Sequence, residues 1–171
     1  MAVKEIVTLP APILRSRARK VSSFNEELGT LVDDMIETMR VAPGVGLAAP
    51  QVDVPLRVIV VEFGDEENPD VQPKLYTVIN PELSRFSKEV TVGTEGCLSI
   101  PGFVGDVERP KSVSVKGFNR AGQPIKVKAA GWLARIFQHE VDHLDGVLYI
   151  DRAEKIWELK EEVSQVSPAE Q

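Results

Sequence analysis

The stretch Gln138-His139-Glu140-Val141-Asp142-His143 contains both histidines of this 171-residue chain, four positions apart. Two histidines placed at random would adopt this spacing only about one time in a hundred, so the spacing needs a physical cause. On an α-helix, residues four apart lie on the same face, and both imidazoles can therefore reach one metal ion with Glu140 beside them. This H-E-x-x-H pattern is typical of zinc-dependent hydrolases. The alternative is a pair of core histidines that are hydrogen-bonded to the backbone.

The residues around this stretch have the periodicity of a helix from about Gly131 to Asp145. Two adjoining faces of the predicted helix are apolar or hold the motif, and their members are Trp132, Ile136, His139, Glu140 and His143, with Leu133, Phe137, Val141 and Leu144. Such a helix is buried over most of its circumference, and Gly146 stands where a left-handed C-terminal cap is expected. Histidines on it are held in the interior, where neutral imidazole is a good metal ligand.

Length and composition favour a single domain, residues 1–171, that can bury a core without a structural metal. The net charge of −6 at pH 7 argues against a nucleic-acid surface spread over the whole protein and leaves only a local patch open, so we expect no direct nucleic-acid binding. The N-terminus lacks a signal-peptide core, and the longest apolar run, Val58 to Val61, is too short to cross a bilayer. Cys97 is the single cysteine and allows no internal disulfide. We therefore expect a cytoplasmic protein without membrane contact.

Periodicity along the chain predicts an α+β fold, in which antiparallel sheets wrap around a central buried helix carrying the HEVDH motif, with an N-terminal and a C-terminal helix. Residues 1–20 are basic and broken by prolines, and we expect an extended arm. The first helix is predicted from Phe24 to about Val41, with Ser22, Ser23 or Asn25 as its N-cap. The predicted strands are Leu56–Phe63, Leu75–Ile79, Leu83–Phe86, Glu89–Thr94, a hairpin of Lys111–Phe118 with Ile125–Lys128, and Val147–Ile150. A final helix from about Arg152 to Val163 and a frayed tail, 164–171, complete the prediction.

The segment Gly44-Val45-Gly46-Leu47-Ala48-Ala49-Pro50-Gln51 satisfies the G-x-G-x-x-A pattern of dinucleotide-binding proteins. That pattern must follow a strand and open a helix, whereas this segment follows a predicted helix and leads into a strand, so we reject nucleotide binding. Its small residues suggest a backbone that another group approaches closely, and Gln51 is a neutral side chain that could donate to an oxyanion. A tight structural turn is the simpler interpretation as long as nothing else converges on the segment.

A metal ion bound by His139 and His143 needs at least one more protein ligand, and the chain offers two sources. One is the predicted last helix, as in thermolysin-like sites, with four glutamates on a charged face: Glu154, Glu158, Glu161 and Glu162. The other is Cys97 in Glu95-Gly96-Cys97-Leu98-Ser99-Ile100-Pro101, where Gly96 permits close approach. A thiolate with two imidazoles and one open position is a catalytic arrangement. A lone cysteine, however, is more often a small buried side chain.

Three segments, GVGLAAPQ, EGCLSIP and QHEVDHLDG, closely resemble in sequence and in order the three motifs of the peptide deformylases. The resemblance extends over nearly the whole chain, and three ordered motifs are far more specific than H-E-x-x-H alone. It implies that Cys97, His139 and His143 bind a metal ion and that Glu140 transfers protons. It implies hydrolysis of the formyl group of N-formylmethionyl peptides, with release of formate.

The resemblance also implies where the substrate lies. Gln51 and the backbone N–H of Leu98 would form an oxyanion hole, and the peptide would add as an extended strand beside the first motif and the segment after Cys97. The residues that we predict to bind the peptide and its methionine side chain are Val45, Gly46, Gly96, Trp132, Arg135 and Ile136. We expect Arg135 at the pocket rim, with its aliphatic stem exposed to the ligand. A narrow site would exclude amides bulkier than a formyl group.

The identity of the metal depends on which argument is used. Ligand preference favours Zn²⁺ for a thiolate with two imidazoles. The resemblance implies Fe²⁺ as the working metal, with Zn²⁺, Ni²⁺ or Co²⁺ possible in isolated protein. Iron would make the enzyme sensitive in air to oxidation of the metal or of Cys97.

Nascent N-formylmethionyl chains are the partners that the resemblance implies. Some bacterial members dock on ribosomes through a long, basic C-terminal extension. The predicted last helix of this chain is short and acidic, which argues against such docking.

An ion pair between Glu95 and Arg109 is a further hypothesis. It would fix the loop of Cys97 from outside the ligand set.

Two rival classes stay open at this stage. A zincin-type endopeptidase would use Glu140 on internal peptide bonds and take its third ligand from the last helix rather than from Cys97. A non-enzymatic metal module would unfold when the metal is removed and would not depend on Glu140.

Overall fold

The computed structural model describes residues 2–65 and 67–159, which form three helices and eight strands. The helices are α1 (Glu26–Val41), α2 (Gly131–Leu144) and α3 (Tyr149–Arg152). The strands are β1 (Gly46–Ala48), β2 (Val58–Phe63), β3 (Lys74–Ser84), β4 (Val90–Cys97), β5 (Ile100–Pro110), β6 (Ser112–Phe118), β7 (Pro124–Ala130) and β8 (Lys155–Glu158). Two short 3-10 helices are also present, Pro12–Arg15 and Ala49–Val52. The predicted α+β class is confirmed.

The strands form two antiparallel sheets, one in the order β1-β2-β3-β6-β7 and one in the order β4-β5-β8. Strand β2 lies inside the larger sheet, and its continuous apolar run is explained by burial on both faces. Ile59 and Val61 pack in the cluster that contains α2, whereas Val58 and Val60 pack in the cluster that contains α1. One sheet therefore separates the two long helices.

Helix α2 is the central element, as the motif predicts. Ten of its 14 residues are buried, so it is covered on most of its circumference. Its ends are set by two glycines with left-handed backbone, Gly131 (φ 63°) and Gly146 (φ 74°). A Cβ at Gly146 would lie 2.7 Å from the backbone of Arg15, so the arm packs directly on this cap.

Helix α1 agrees with the predicted packing helix. Asn25 is its N-cap, because its side chain accepts a hydrogen bond of 3.0 Å from the backbone N–H of Leu28. Met35 and Met39 are fully buried and belong to the apolar core.

The strand prediction is incomplete between residues 74 and 110. The two predicted runs, 75–79 and 83–86, are one strand, β3, with a register shift between Ile79 and Glu82. Strand β5 was not predicted at all, because Pro101, Gly102 and Gly105 interrupt its pattern. It pairs with β4 along almost its whole length, and these hydrogen bonds stabilise a strand that its local sequence does not predict.

Two predictions near the C-terminus are wrong. The predicted strand Val147–Ile150 is instead a turn leading into α3, which begins at Tyr149. The predicted helix from Arg152 does not form in the described residues, because α3 ends at Arg152 and Lys155–Glu158 form β8, which pairs with the edge of β5. An available sheet edge overrides the amphipathic pattern, since strand preference is set largely by the partner strand. Residues 160–163 of the predicted helix and the predicted frayed tail, 164–171, lie outside the described residues.

The N-terminal arm runs across the domain as predicted, apart from its 3-10 turn. The backbone N–H of Val7 donates to the Gln51 carbonyl at 2.8 Å, and that of Leu9 donates to the Ser99 carbonyl at 3.0 Å. The arm thus ties the segment of Gln51 to the segment that follows Cys97. Within the described residues, no helix combines the length and apolarity needed to cross a membrane.

Candidate metal centre and active site

Cys97, His139 and His143 converge in the interior, where one ligand atom of each lies within 4.8 Å of the other two. All three side chains are buried, and the Cys97 Sγ lies 3.4 Å from the His143 Nε2. Glu154 and Glu158, the described members of the rival ligand set, are outside this cluster. Of the two sources considered, the cysteine is therefore the one that lies beside the histidines.

Two local features aim these side chains at one point. The histidines lie one turn apart on α2, and their rings meet edge to face with centroids 5.1 Å apart. Cys97 ends β4, where the register with β5 shifts between Gly96 and Cys97. Such a β-bulge redirects a side chain out of the regular alternation of the strand.

The donor set fits a divalent metal ion. The His139 Nε2 is buried and has no hydrogen-bond partner among the described residues, and the His143 Nε2 is the ring nitrogen that faces the Cys97 Sγ. The other nitrogen of His139, Nδ1, lies 2.8 Å from the Glu95 Oε1, which orients the ring and leaves Nε2 as the free ligand atom. The 3.4 Å between the Cys97 Sγ and the His143 Nε2 is a separation that two ligands of one metal ion can have.

The electrostatics of the cluster favour a cation between the sulfur and the rings. Burial alone would lower the pKa of His139, but the nearby Cys97 sulfur and the hydrogen bond with Glu95 raise it well above its ordinary value. Burial lowers the pKa of His143 well below its ordinary value, so this ring is a neutral imidazole. A neutral imidazole beside a site that attracts positive charge is the state that a metal ion requires.

Glu95 is the buried hub behind the cluster. It is 0% exposed and accepts hydrogen bonds from Arg109 (2.6 and 2.9 Å) and Arg135 (2.7 Å), in addition to its contact with His139. Burial by itself would raise the pKa of Glu95, but the Arg109 and His139 hydrogen bonds outweigh it and hold that pKa well below its ordinary value. The predicted Glu95–Arg109 pair is present. Arg109 also donates to Asp142 at 3.0 Å and so joins β5 to α2.

Glu140 lies between the cluster and strand β1. Its side chain is buried, and its Oε1 has no hydrogen-bond partner among the described residues. Burial raises the pKa of Glu140 to about 7. Gly46 lies against this carboxylate, because a Cβ built at Gly46 would come within 2.5 Å of the Glu140 Oε2. The group that approaches the small-residue segment, as its composition suggests, is therefore the glutamate of the motif.

Gln51 is fully buried beside the sulfur of Cys97. Its Oε1 accepts a hydrogen bond from the Ala48 N–H at 3.0 Å, which anchors the amide. Its Nε2 donates to the Ser99 Oγ at 3.1 Å and lies 3.6 Å from the Cys97 Sγ. Leu98 occupies the turn between β4 and β5, directly after the cysteine. The structure thus brings both predicted oxyanion donors next to Cys97.

A narrow pocket opens beside the cluster, and only part of the predicted binding set lines it. Its lining residues are Val45, Glu95, Arg135, Ile136, His139 and Glu140. The predicted exposed position of Arg135 differs from the structure, because its guanidinium is buried and also donates to the Val107 and Thr91 carbonyls at 2.8 Å. Trp132 does not line this pocket, and the centroid of its ring lies 5.4 Å from the Arg135 Cζ.

The sequence reasoning missed two contacts of His139. One is the hydrogen bond that His139 donates to Glu95, which also binds Arg135; Glu95 stands two residues before Cys97, and this proximity was the available signal. The other is Tyr149, whose ring stacks on that of His139 with centroids 6.1 Å apart. The incorrect strand prediction for this segment left no signal for the second contact.

Known proteins resemble this chain both in sequence and in structure. The family described as polypeptide deformylase matches residues 3–158. A peptide deformylase from Symbiobacterium thermophilum is 49% identical over 170 residues, which cover 99% of this chain and 76% of that protein. The crystal structure of peptide deformylase from Thermotoga maritima aligns with a TM-score of 0.83 at 41% identity and covers 91% of this chain and 100% of that one. A Met-Ala-Ser-bound class I type b enzyme from Acinetobacter baumannii aligns with a TM-score of 0.81 at 39% identity, covering 88% of this chain and 98% of that one. The chain therefore belongs to the polypeptide deformylase family, metal-dependent hydrolases that remove the N-formyl group from newly made polypeptides.

Proposed function

We propose that Cys97, His139 and His143 hold the metal ion of this deformylase. The proposal rests on the single observation that these three buried side chains bring their donor atoms within 4.8 Å of one another. When bound, a divalent ion supplies a water acidified toward neutral pH and a positive charge that polarises the formyl carbonyl.

Glu140 transfers the proton in this proposal. Its carboxylate accepts a proton from the attacking water as the oxygen bonds to the formyl carbon. It then delivers that proton to the amine nitrogen as the C–N bond breaks, which releases formate and a free amino terminus. The support is its burial, its unpartnered Oε1 and a pKa of about 7, at which a carboxyl group both accepts and releases a proton near neutral pH.

Gln51 and Leu98 stabilise the negative charge that develops on the formyl oxygen. The Gln51 Nε2 and the Leu98 N–H are the donors, and each such donor typically lowers the barrier by ~3 kcal/mol. The anchoring of Gln51 through the Ala48 N–H supports this role, because it holds the amide in place before the charge forms.

The substrate is an N-formylmethionyl peptide bound as an added strand. The residues proposed to contact the peptide are Val45, Gly46, Gly96, Trp132, Arg135 and Ile136. Val45, Arg135 and Ile136 line the narrow pocket beside Glu140, which supports their place in this set. The tripeptide bound to the Acinetobacter baumannii relative has the chemistry of a deformylated product, which supports formyl-Met-Ala-Ser as a substrate here.

The decisive experiment measures formate release from formyl-Met-Ala-Ser by protein purified without air. Glu140→Gln keeps the shape of the side chain but cannot accept a proton, so we expect kcat to fall by about 10²- to 10⁴-fold with unchanged metal content. Glu27→Gln on the exposed side of α1 is the matched control and should keep full activity. Retained kcat in Glu140→Gln would remove the proposed role.

Metal loading tests the ligand set and the identity of the ion. Cys97→Ser should lower bound metal measured by elemental analysis, since a hydroxyl is a poorer ligand than a thiolate. We propose Fe²⁺ as the working ion and the cytoplasm as the site of action. Protein reconstituted with Fe²⁺ should then exceed the Zn²⁺ form in kcat and lose activity in air. Equal activity of the two forms would count against iron.

A further inference from the structure

A second cleft, of about 730 Å³, is lined mainly by positively charged side chains, whereas the whole protein is negatively charged. It shares no lining residue with the pocket beside the metal centre. Five cationic side chains line it: Arg17, Lys20, Arg57, Lys116 and Lys126. Among the described residues that line it, Glu82 is the one carboxylate. The chain as a whole has a net charge of −6, so this concentration of positive charge is a local feature.

Most of these cations are not neutralised by the protein. In residues 2–65 and 67–159, no carboxylate lies within 4.0 Å of the charged groups of Arg17, Lys20, Lys116 or Lys126. Arg57 differs, since it pairs with Asp145 at 3.0 Å. The cleft therefore presents several free positive charges to whatever enters it.

The two lysines on the sheet stand directly opposite each other. Lys116 on β6 and Lys126 on β7 are register partners, and so their side chains emerge on the same face. Like charges in this position destabilise an antiparallel pair, and a bound anion would offset that cost. Glu82 on β3 is the register partner of Lys116 on its other side, so one carboxylate faces these two lysines and a net positive charge remains.

The part of the cleft that the N-terminal arm forms is fixed by specific hydrogen bonds. Asn80, which has a left-handed backbone (φ 53°), accepts from the Val21 N–H at 2.8 Å and donates to the Val21 carbonyl at 3.0 Å. Arg19 forms backbone hydrogen bonds to the Pro55 carbonyl and from the Arg57 N–H, both at 2.9 Å. The backbone that carries Arg17 and Lys20 is thus held in place before any ligand binds, which lowers the entropic cost of binding.

An exposed aromatic ring completes the cleft. Phe118 at the end of β6 lines it, is 37% exposed and packs edge to face against Phe24 with centroids 5.9 Å apart. Cations along a groove together with an exposed aromatic ring are the combination that binds single-stranded nucleic acid, because the cations contact phosphates and a base stacks on the ring. A single phosphate would leave most of the volume unused. We infer that this cleft binds single-stranded nucleic acid and is the local patch that the net charge of the chain leaves open.

The test measures fluorescence anisotropy of a labelled oligouridylate of about twelve nucleotides with the full-length enzyme. The variant Lys116→Gln/Lys126→Gln removes two phosphate contacts, and we expect binding to weaken roughly 60-fold at about 50 mM salt, with a salt slope smaller by about 1.4. The variant Lys88→Gln/Lys155→Gln makes the same change of charge outside the cleft and should bind within about twofold of the wild type. Formate release should be unchanged in both, which verifies that the variants are folded.

Two further outcomes decide the chemistry of the occupant. Phe118→Leu should weaken oligouridylate binding by about fivefold or more, because a base loses its stacking surface. Polyglutamate of similar length should displace the oligonucleotide only weakly. Any of three results would overturn the inference. They are equal losses of affinity in the two double-lysine variants, no oligouridylate binding by the wild type, and displacement by polyglutamate as strong as that by unlabelled oligouridylate.

Discussion

Gly46→Ala tests the contact between the first motif and the catalytic carboxylate. Gly46 is not among the residues with positive φ, so its backbone accepts alanine without strain. The added methyl carbon would lie 2.5 Å from the Glu140 Oε2, 2.9 Å from its Cδ and 3.0 Å from its Cγ. Ordinary contact begins near 3.4 Å, and the carboxylate must therefore move by about 0.9 Å. Glu140 is buried, so this movement cannot be absorbed by solvent.

The expected magnitude follows from that displacement. Misplacing a reacting group by about 1 Å typically costs ~10²-fold in rate, which corresponds to about 2.7 kcal/mol of barrier. We expect kcat for formate release from formyl-Met-Ala-Ser to fall by about 100-fold in Gly46→Ala. Metal content should stay unchanged, because the three atoms nearest to the new methyl carbon all belong to Glu140 and not to a ligand.

The matched control is Gly29→Ala in α1. No heavy atom lies within 4 Å of a Cβ at Gly29, so alanine should leave kcat unchanged and stabilise the helix by up to about 1 kcal/mol in urea unfolding. A kcat of Gly46→Ala within about threefold of the wild type, with the protein folded and metal-loaded, would refute the reasoning.

Two further predictions concern the buried ion pairs. Arg109→Met should lower the free energy of unfolding in urea by about 3 kcal/mol, because it removes one partner of a buried pair while Arg135 still binds Glu95. Arg40→Met breaks an exposed pair and should cost less than about 1 kcal/mol; equal losses in the two variants would contradict the assignment. Stability should also fall as the pH drops below about 4.5, because the unfolded chain then binds a proton at Glu95 that the folded protein does not bind. Urea unfolding at several acidic pH values should show that the free energy of unfolding depends less steeply on pH in Arg109→Met than in the wild type. The same steepness in both proteins would exclude Glu95 as the cause of the acid destabilisation.

Local patterns predicted the elements whose structure depends on near neighbours in the chain. Helix α2, helix α1 with its Asn25 cap and the hairpin of β6 and β7 agree with their predicted types. In each case a period or a turn sequence specifies the backbone before distant contacts form. Strand β5 escaped prediction and β8 was assigned to a helix, because each is stabilised by hydrogen bonds to a strand elsewhere in the chain.

The candidate site divides in the same way. The sequence by itself determined that His139, Glu140 and His143 share a buried helix face, since this follows from the helical repeat alone. It left the third donor open between Cys97 and the C-terminal glutamates, and the resemblance to a family was needed to favour the cysteine.

Only the tertiary structure decided which distant groups meet at that helix. It brought Cys97 within 3.4 Å of His143, made Glu95 the shared partner of three basic side chains, and set Gly46 against Glu140. It also placed positively charged side chains of the N-terminal arm, β6 and β7 around one cleft. Contacts of this kind depend on how sheets and helices pack on one another, and spacing within a local segment holds no information about them.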